Sequence, residues 1–260
     1  MNLQEVANDS RKRVLKMIYE AQTSHIGSNF SCAEIMAAVF DKIDLDKDKF
    51  ILSAGWKAAM LYYHLWRKGR ITEKELNSYC KDGSKFIGLS EPIHPDIAFA
   101  GGSMGMGLAA GVGFAQSMKM QGNKGRVFVL ESDGGMNCGI TWEAIMLASK
   151  LNLGNLTLII DCNGFQAMGA TNEIIALNEI ENNLKEKMQS FGWYCYEMKG
   201  NDCDDIAWHV NPPPFTSPLC LIAHTTKGSG VSFMENDNVW HYRAPEKEEY
   251  ELAMQELCRN

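Results

Sequence analysis

Apolar residues recur at helical spacing over residues 4–21, with Val6, Val14, Leu15 and Ile18 on one face, and predict an amphipathic helix. The polar segment SHIGSNFS that follows reads as a loop, and a second helical stretch runs over residues 32–40, so the opening third is mostly helical. Beyond it, short β-type runs alternate with helical segments. RVFVL at 126–130 precedes a helix over 139–151, LTLIID at 156–161 precedes one over about 178–191, and WYCYEM at 193–198 precedes one over 203–209. PLCLIAHT at 218–225 is the last strand. This alternation argues for an α/β fold: a doubly wound, mostly parallel sheet with helices on both faces. The proline run at 212–214 falls between a helix and a strand and reads as a loop, and no repeat divides the chain, so residues 1–260 read as a single domain.

Composition narrows the class. A chain of 260 residues with 45% hydrophobic and 22% charged residues has ordinary globular make-up. The longest apolar runs fall far short of the roughly 20 residues a membrane-spanning helix needs. The polar N-terminus lacks the apolar core of a secretory signal, so a cytoplasmic protein is expected. Net charge is −7, and the basic residues are scattered, which argues against nucleic-acid binding. The eight cysteines contain no Cys-x-x-Cys pair and lie mostly in apolar segments, reading as reduced, buried thiols.

Open parallel sheets bind ligands outside the carboxyl ends of their strands, and the loops there hold the candidate chemistry. After RVFVLE comes Ser132-Asp133-Gly134-Gly135: a hard oxygen ligand suited to magnesium or calcium, followed by glycines that let a ligand approach the backbone. Taken alone it reads first as a plain strand-to-helix turn. After the next strand comes Asp161-Cys162-Asn163-Gly164-Phe165, so consecutive strand ends would bring Asp133 and Asn163 together. One carboxylate and one amide oxygen leave most of a magnesium octahedron open, which suits an ion shared with substrate or cofactor phosphates. Gly105, Gly107 and Ala110 spell G-x-G-x-x-A, but no strand immediately precedes them, and close helix packing through small residues explains them equally well. The polar stretch 224–245 carries His224, Lys227 and His241. His25 and His241, both expected in loops, are better candidates than His64 or His209, expected in helices.

These segments, from SHIGSNFSCAEIMAAVF through SDGGMNCGITWEA and NLTLIIDCNGFQ to WHYRAP, resemble in order the thiamine-diphosphate-binding half of transketolases, particularly the short N-terminal subunit of split transketolases. The resemblance implies that Asp133, Asn163 and the backbone carbonyl of Phe165 hold a magnesium (or calcium) ion bridging to the diphosphate of thiamine diphosphate. It implies that Gly134 backs the diphosphate, that Gly102 and Met104 contact the pyrimidine side through their backbone, and that His25 and His241 reach diphosphate or substrate. It places Glu143 in a carboxylate network between active sites. It also implies a separately encoded C-terminal, pyrimidine-binding subunit, an α2β2 assembly, and small carbohydrate or 2-oxoacid substrates.

The departures fall mainly on substrate recognition. Trp56 stands where the family has a histidine, IGLSEP lacks the family's Gly-His-Pro histidine with His94 shortly after it, Cys138 replaces an acidic residue, Ser132 replaces a glycine, and Tyr242 follows His241 in place of another. They point to a transketolase-like transferase moving a two-carbon ketol or acyl unit with an unusual donor such as pyruvate, or a modified-sugar acceptor. A 2-oxoacid decarboxylase or dehydrogenase subunit, suggested by GMNCG, and a non-catalytic scaffold, suggested by Trp56 and Cys138, are the alternatives. For Cys138 packing is favoured over a nucleophilic role, because no activating partner is legible.

Overall fold

The computed structural model describes residues 1–174, 177–211 and 215–259. From the N-terminus come helices α1 (Leu3–Ala21), α2 (Ile26–Ser31) and α3 (Ala33–Lys42), strand β1 (Lys49–Leu52), and helices α4 (Ala58–Arg67), α5 (Glu73–Leu76) and α6 (Met106–Met120). Strand β2 (Val127–Ser132), α7 (Gly139–Lys150) and β3 (Leu156–Cys162) follow, then a small antiparallel pair, β4 (Phe165–Gln166) and β5 (Gly169–Ala170). The chain continues through α8 (Thr171–Ile174), α9 (Leu177–Ser190), β6 (Tyr194–Lys199), α10 (Cys203–His209), β7 (Leu219–His224) and α11 (Lys247–Arg259). The loop expected at 212–214 lies outside the described residues. No helix among them is long and apolar enough to cross a membrane.

The main sheet has five parallel strands in the order β1-β2-β3-β7-β6. Its strands alternate between two hydrophobic clusters. Phe128, Leu130, Ile159, Leu219 and Leu221 join α1, α3 and α4 on one face. Val127, Val129, Leu158, Ile160, Cys220 and Ile222 join α6, α7 and the end of α9 on the other. Since both faces are covered, β2 and β3 are buried throughout, which is why they read as continuous apolar runs. α1 begins where Asn2 caps it, its Oδ1 accepting from Glu5 N at 2.8 Å while Glu5 returns the bond to Asn2 N.

Two expectations need correction. SHIGSNFS is not a loop but contains α2, fully buried. Its serines and asparagine read as loop residues yet are satisfied internally: Ser31 Oγ donates to Asp161 Oδ2 (2.6 Å), and Asn29 Nδ2 donates to the carbonyls of His25 (2.9 Å) and Trp56 (3.2 Å). The opening third also contains an edge strand, β1, too short at four residues for its period to show. At α6 the glycines serve close packing, as the plainer alternative had it. Gly105 starts the helix in a left-handed conformation (φ 75°), and Gly107 lies so near Ser53 that an added Cβ would come within 2.6 Å of its backbone.

Candidate active site

Asp133 leaves the carboxyl end of β2 and is buried. Its Oδ1 accepts from Gly134 N (2.8 Å) and its Oδ2 from Gly164 N (2.7 Å), so one carboxylate ties the loop after β2 to the loop after β3. Asn163, also buried, accepts through Oδ1 from Phe165 N (3.1 Å) and donates through Nδ2 to Ser31 Oγ (3.3 Å) and Asp161 Oδ2 (3.5 Å). The amide is thereby oriented, nitrogen toward α2 and oxygen toward the β3 loop. Burial, with the charge of Asp161 next, pushes the Asp133 carboxyl up to about 7. A carboxylate held in that condition is relieved by a cation placed beside it.

Beneath this pair lies a buried ionic hub. Lys57, just ahead of α4, pairs with Asp161 Oδ2 and donates to the carbonyl of Ser28 (3.1 Å), while Thr225 Oγ1 donates to Asp161 Oδ1. Burial is the largest influence on the Lys57 ammonium and disfavours it, but the attractions of Asp161, Cys32 and Asp133 together outweigh it and the Lys57 pKa is raised. Sequence reasoning missed Lys57. The available signal was a lone charge beside the apolar run AAMLYYHLW.

The C-terminal stretch supplies the other wall. Polar in sequence, it is partly interior: Lys227 is fully buried, and residues 238–241 form a short 3-10 turn that ends at a buried His241. Lys227 Nζ donates to Asn238 Oδ1 (2.5 Å), approaches His241 Nδ1 (3.4 Å) and stands 5.3 Å from the Phe165 ring centroid. His25 occupies the N-cap position of α2 with its ring edge-on to His241 at 4.8 Å, and its backbone N–H donates to the His241 carbonyl (3.1 Å). Burial and then Lys227 lower His25 to about 4 and His241 to about 3, while burial followed by Lys57 lowers Lys227 to about 8. Both imidazoles are therefore neutral at pH 7, beside a lysine that makes no direct ion pair among the described residues and feels Asp133, Asp161 and Asp237 only at longer range.

One cavity of about 330 Å³ lies at the carboxyl end of the sheet, lined by His25, Gly102, Met104, Gly134, Asn163, Phe165 and His241, with Lys227 behind His241 and Phe165 rather than in the lining. Asp133 lies buried against it, next to Gly134. Glu143 is not brought there; it is exposed on α7. Trp56 and Ser132 line the cavity with Leu89 and Gln166, and nothing in the sequence had singled out the last two. His94 does not reach the lining: its Nδ1 accepts from Asp96 N at 3.2 Å within its own loop. Tyr242 is largely exposed, its hydroxyl donating to the Ala167 carbonyl. Burial and the neighbouring Glu131 raise the Cys138 thiol, the opposite of an activated nucleophile.

Residues 3–258 match the family described as transketolase, thiamine diphosphate binding domain. The chain is 34% identical over 259 residues to one of the subunits of apulose-4-phosphate transketolase from Phocaeicola vulgatus, a match covering 95% of this chain and 91% of that one. It is 30% identical over 274 residues to a 6-deoxy-6-sulfo-D-fructose transketolase subunit of a Clostridium species, covering 99% and 96%. The crystal structure of transketolase from Campylobacter jejuni superposes with a TM-score of 0.91 at 26% identity, covering 99% of this chain but 43% of that chain. The sequence thus spans nearly all of the curated subunits and less than half of the solved enzyme. With the cavity at the carboxyl ends of β2 and β3 and the matches running from end to end, the chain belongs to the transketolase family of transferases, as its thiamine-diphosphate-binding domain.

Proposed function

We propose that this chain is the diphosphate-binding subunit of a magnesium- and thiamine-diphosphate-dependent, transketolase-like transferase moving a two-carbon ketol or acyl unit between small carbohydrates. The observation that carries this reading is a cavity lined by Asn163 and Phe165 on one side and by His25 and His241 on the other, with the buried Asp133 bonded to the Asn163–Phe165 loop through Gly164 N and the buried Lys227 behind His241 and Phe165. The donor set fits the group. Asp133 is a buried carboxylate short of positive charge, and Lys227 is a buried ammonium short of negative charge. A divalent ion and a diphosphate supply those two needs together.

On this reading Asp133, the Asn163 side-chain oxygen and the Phe165 carbonyl hold the metal, Gly134 backs the diphosphate, and Gly102 and Met104 meet the pyrimidine side. Thiamine diphosphate, when bound, supplies the nucleophilic carbon for two-carbon transfer. The chain's own residues bind and orient. His25 and His241, neutral at pH 7, each have Nδ1 engaged within the chain, by Ser24 Oγ (2.8 Å) and by Lys227 Nζ (3.4 Å), and offer Nε2 to a phosphate or a substrate hydroxyl. Trp56, Leu89 and Met104 make part of the lining apolar, which supports an unusual donor such as pyruvate or a modified-sugar acceptor.

Two relatives of nearly the same length are named as transketolase subunits, which supports a separately encoded partner completing the site, in an α2β2 assembly in the cytoplasm. Exposed Glu143 on α7 is then placed to face a neighbouring subunit. The test is a donor screen on the full chain co-purified with that partner, offering ketose phosphates and pyruvate with aldose acceptors. Formation of a ketose two carbons longer by the pair, and none by the single chain, is expected. Absence of transfer from every donor by a pair that has bound cofactor and magnesium would overturn the assignment.

A further inference from the structure

We propose that Gln166 is a further positioning residue of this cavity, its side-chain nitrogen donating to the diphosphate of the bound cofactor. The inference rests on the reading above. Among the described residues, the buried side-chain atoms without a hydrogen-bond partner are Arg11 Nε, both ring nitrogens of His64, Gln116 Oε1 and Gln166 Nε2. Of these residues, Gln166 alone lines the cavity. A buried amide N–H left unpaired costs free energy, and such groups in native proteins are normally satisfied by something.

The orientation of the amide is set from within the chain. Gln166 Oε1 accepts from Asn137 Nδ2 at 3.2 Å, which leaves Nε2 as the uncommitted end. That bond also clasps the turn after β2, which begins at Asp133, to β4, which follows Asn163 by two residues. The backbone is fixed as well: Gln166 pairs with Gly169 across the β4–β5 pair. The Gln166 Cβ would stand 3.1 Å from a Cβ added at Gly134, so the side chain leaves the backbone directly against the glycine expected to back the diphosphate. A neutral N–H donor beside that glycine suits an anionic oxygen. Bonds of this charge-assisted kind are stronger than neutral ones.

Two substitutions of similar shape separate the donor from the packing. In Gln166→Met the donor is lost, and in Gln166→Glu it is replaced by a carboxylate that repels the anion. Calorimetric titration of the chain co-purified with its partner, in magnesium, uses two probes: thiamine diphosphate and inorganic diphosphate. For Gln166→Met, affinity for both probes is expected to fall about tenfold to hundredfold, with the melting temperature of the ligand-free protein lowered slightly by loss of the Asn137 bond, and unchanged in Gln166→Glu, which keeps an oxygen for Asn137 Nδ2. For Gln166→Glu the fall in affinity should be larger. Wild-type affinity in Gln166→Met for both probes would overturn the inference while leaving the cofactor assignment intact. A loss confined to thiamine diphosphate would also overturn it, because the amide would then face the organic part of the cofactor. If the wild-type pair binds neither probe, the cofactor assignment fails and this inference fails with it.

Discussion

The two sides of the cavity are strained in opposite electrostatic directions. On the β2–β3 side, burial and Asp161 push the Asp133 carboxyl up to about 7, whereas on the C-terminal side burial and Lys227 hold His25 near 4 and His241 near 3. One side lacks positive charge and the other lacks negative charge. The buried charges that are already paired behave differently: Lys57 and Asp161 satisfy each other. The contrast teaches how the fold divides its polar residues. Asp161, Ser31, Thr225 and Lys57 form a closed network that shapes the site, while Asp133, Asn163, His25, His241 and Lys227 keep capacity for a ligand that carries both signs of charge.

Substitution can break each half of this comparison. The largest expected effect is on the side short of positive charge: Asp133→Ala should weaken magnesium-dependent binding of thiamine diphosphate by more than about a hundredfold, measured by titration calorimetry, and unchanged affinity would remove Asp133 from the metal site. Breaking the closed network should act on stability. Lys57→Met leaves Asp161 buried without its partner and should cost about 3–5 kcal/mol, read from urea unfolding; a loss within about 0.5 kcal/mol would show that the pair does not organise the site.

The smallest effect sharpens the side short of negative charge. His25 and His241 titrate in the folded protein near 4 and near 3, below the ordinary value of 6.5. The unfolded chain therefore takes up protons first as pH falls below 6.5, so stability held above that value is lost progressively as pH drops through 4 toward 3. The double variant His25→Gln, His241→Gln should flatten the fall in melting temperature between pH 7 and pH 4. A fall as steep as in the wild type would show that these imidazoles are not held neutral.

Much of the sheet was legible because β2, β3 and β7 are covered on both faces, and burial on both faces leaves apolar runs such as VFVL. β1 was not legible, because four residues at an edge carry too little pattern. α2 misled because its polar residues look like a loop until Asp161, Trp56 and His241 appear around them as partners. Within the site, residues following strand ends or set in glycine-rich motifs could be found from sequence, and most of them share one lining. Lys57 and Gln166 could not, since their roles depend on Asp161 and Asn137, which lie 104 and 29 positions away along the chain. Glu143 marks the opposite limit: its place in a carboxylate network depends on a neighbour outside this chain, and here it stands on the surface of α7.

The most direct test is calorimetric titration of thiamine diphosphate into the chain co-purified with its partner, with magnesium present and again after chelation. Saturable binding is expected with magnesium and a loss of about a hundredfold or more without it, because the diphosphate then meets Asp133 with no bridging ion. Equal affinity in both conditions, or no binding by a folded complex with magnesium present, would contradict the claim that the two unbalanced sides of this cavity are completed by one metal-bound diphosphate.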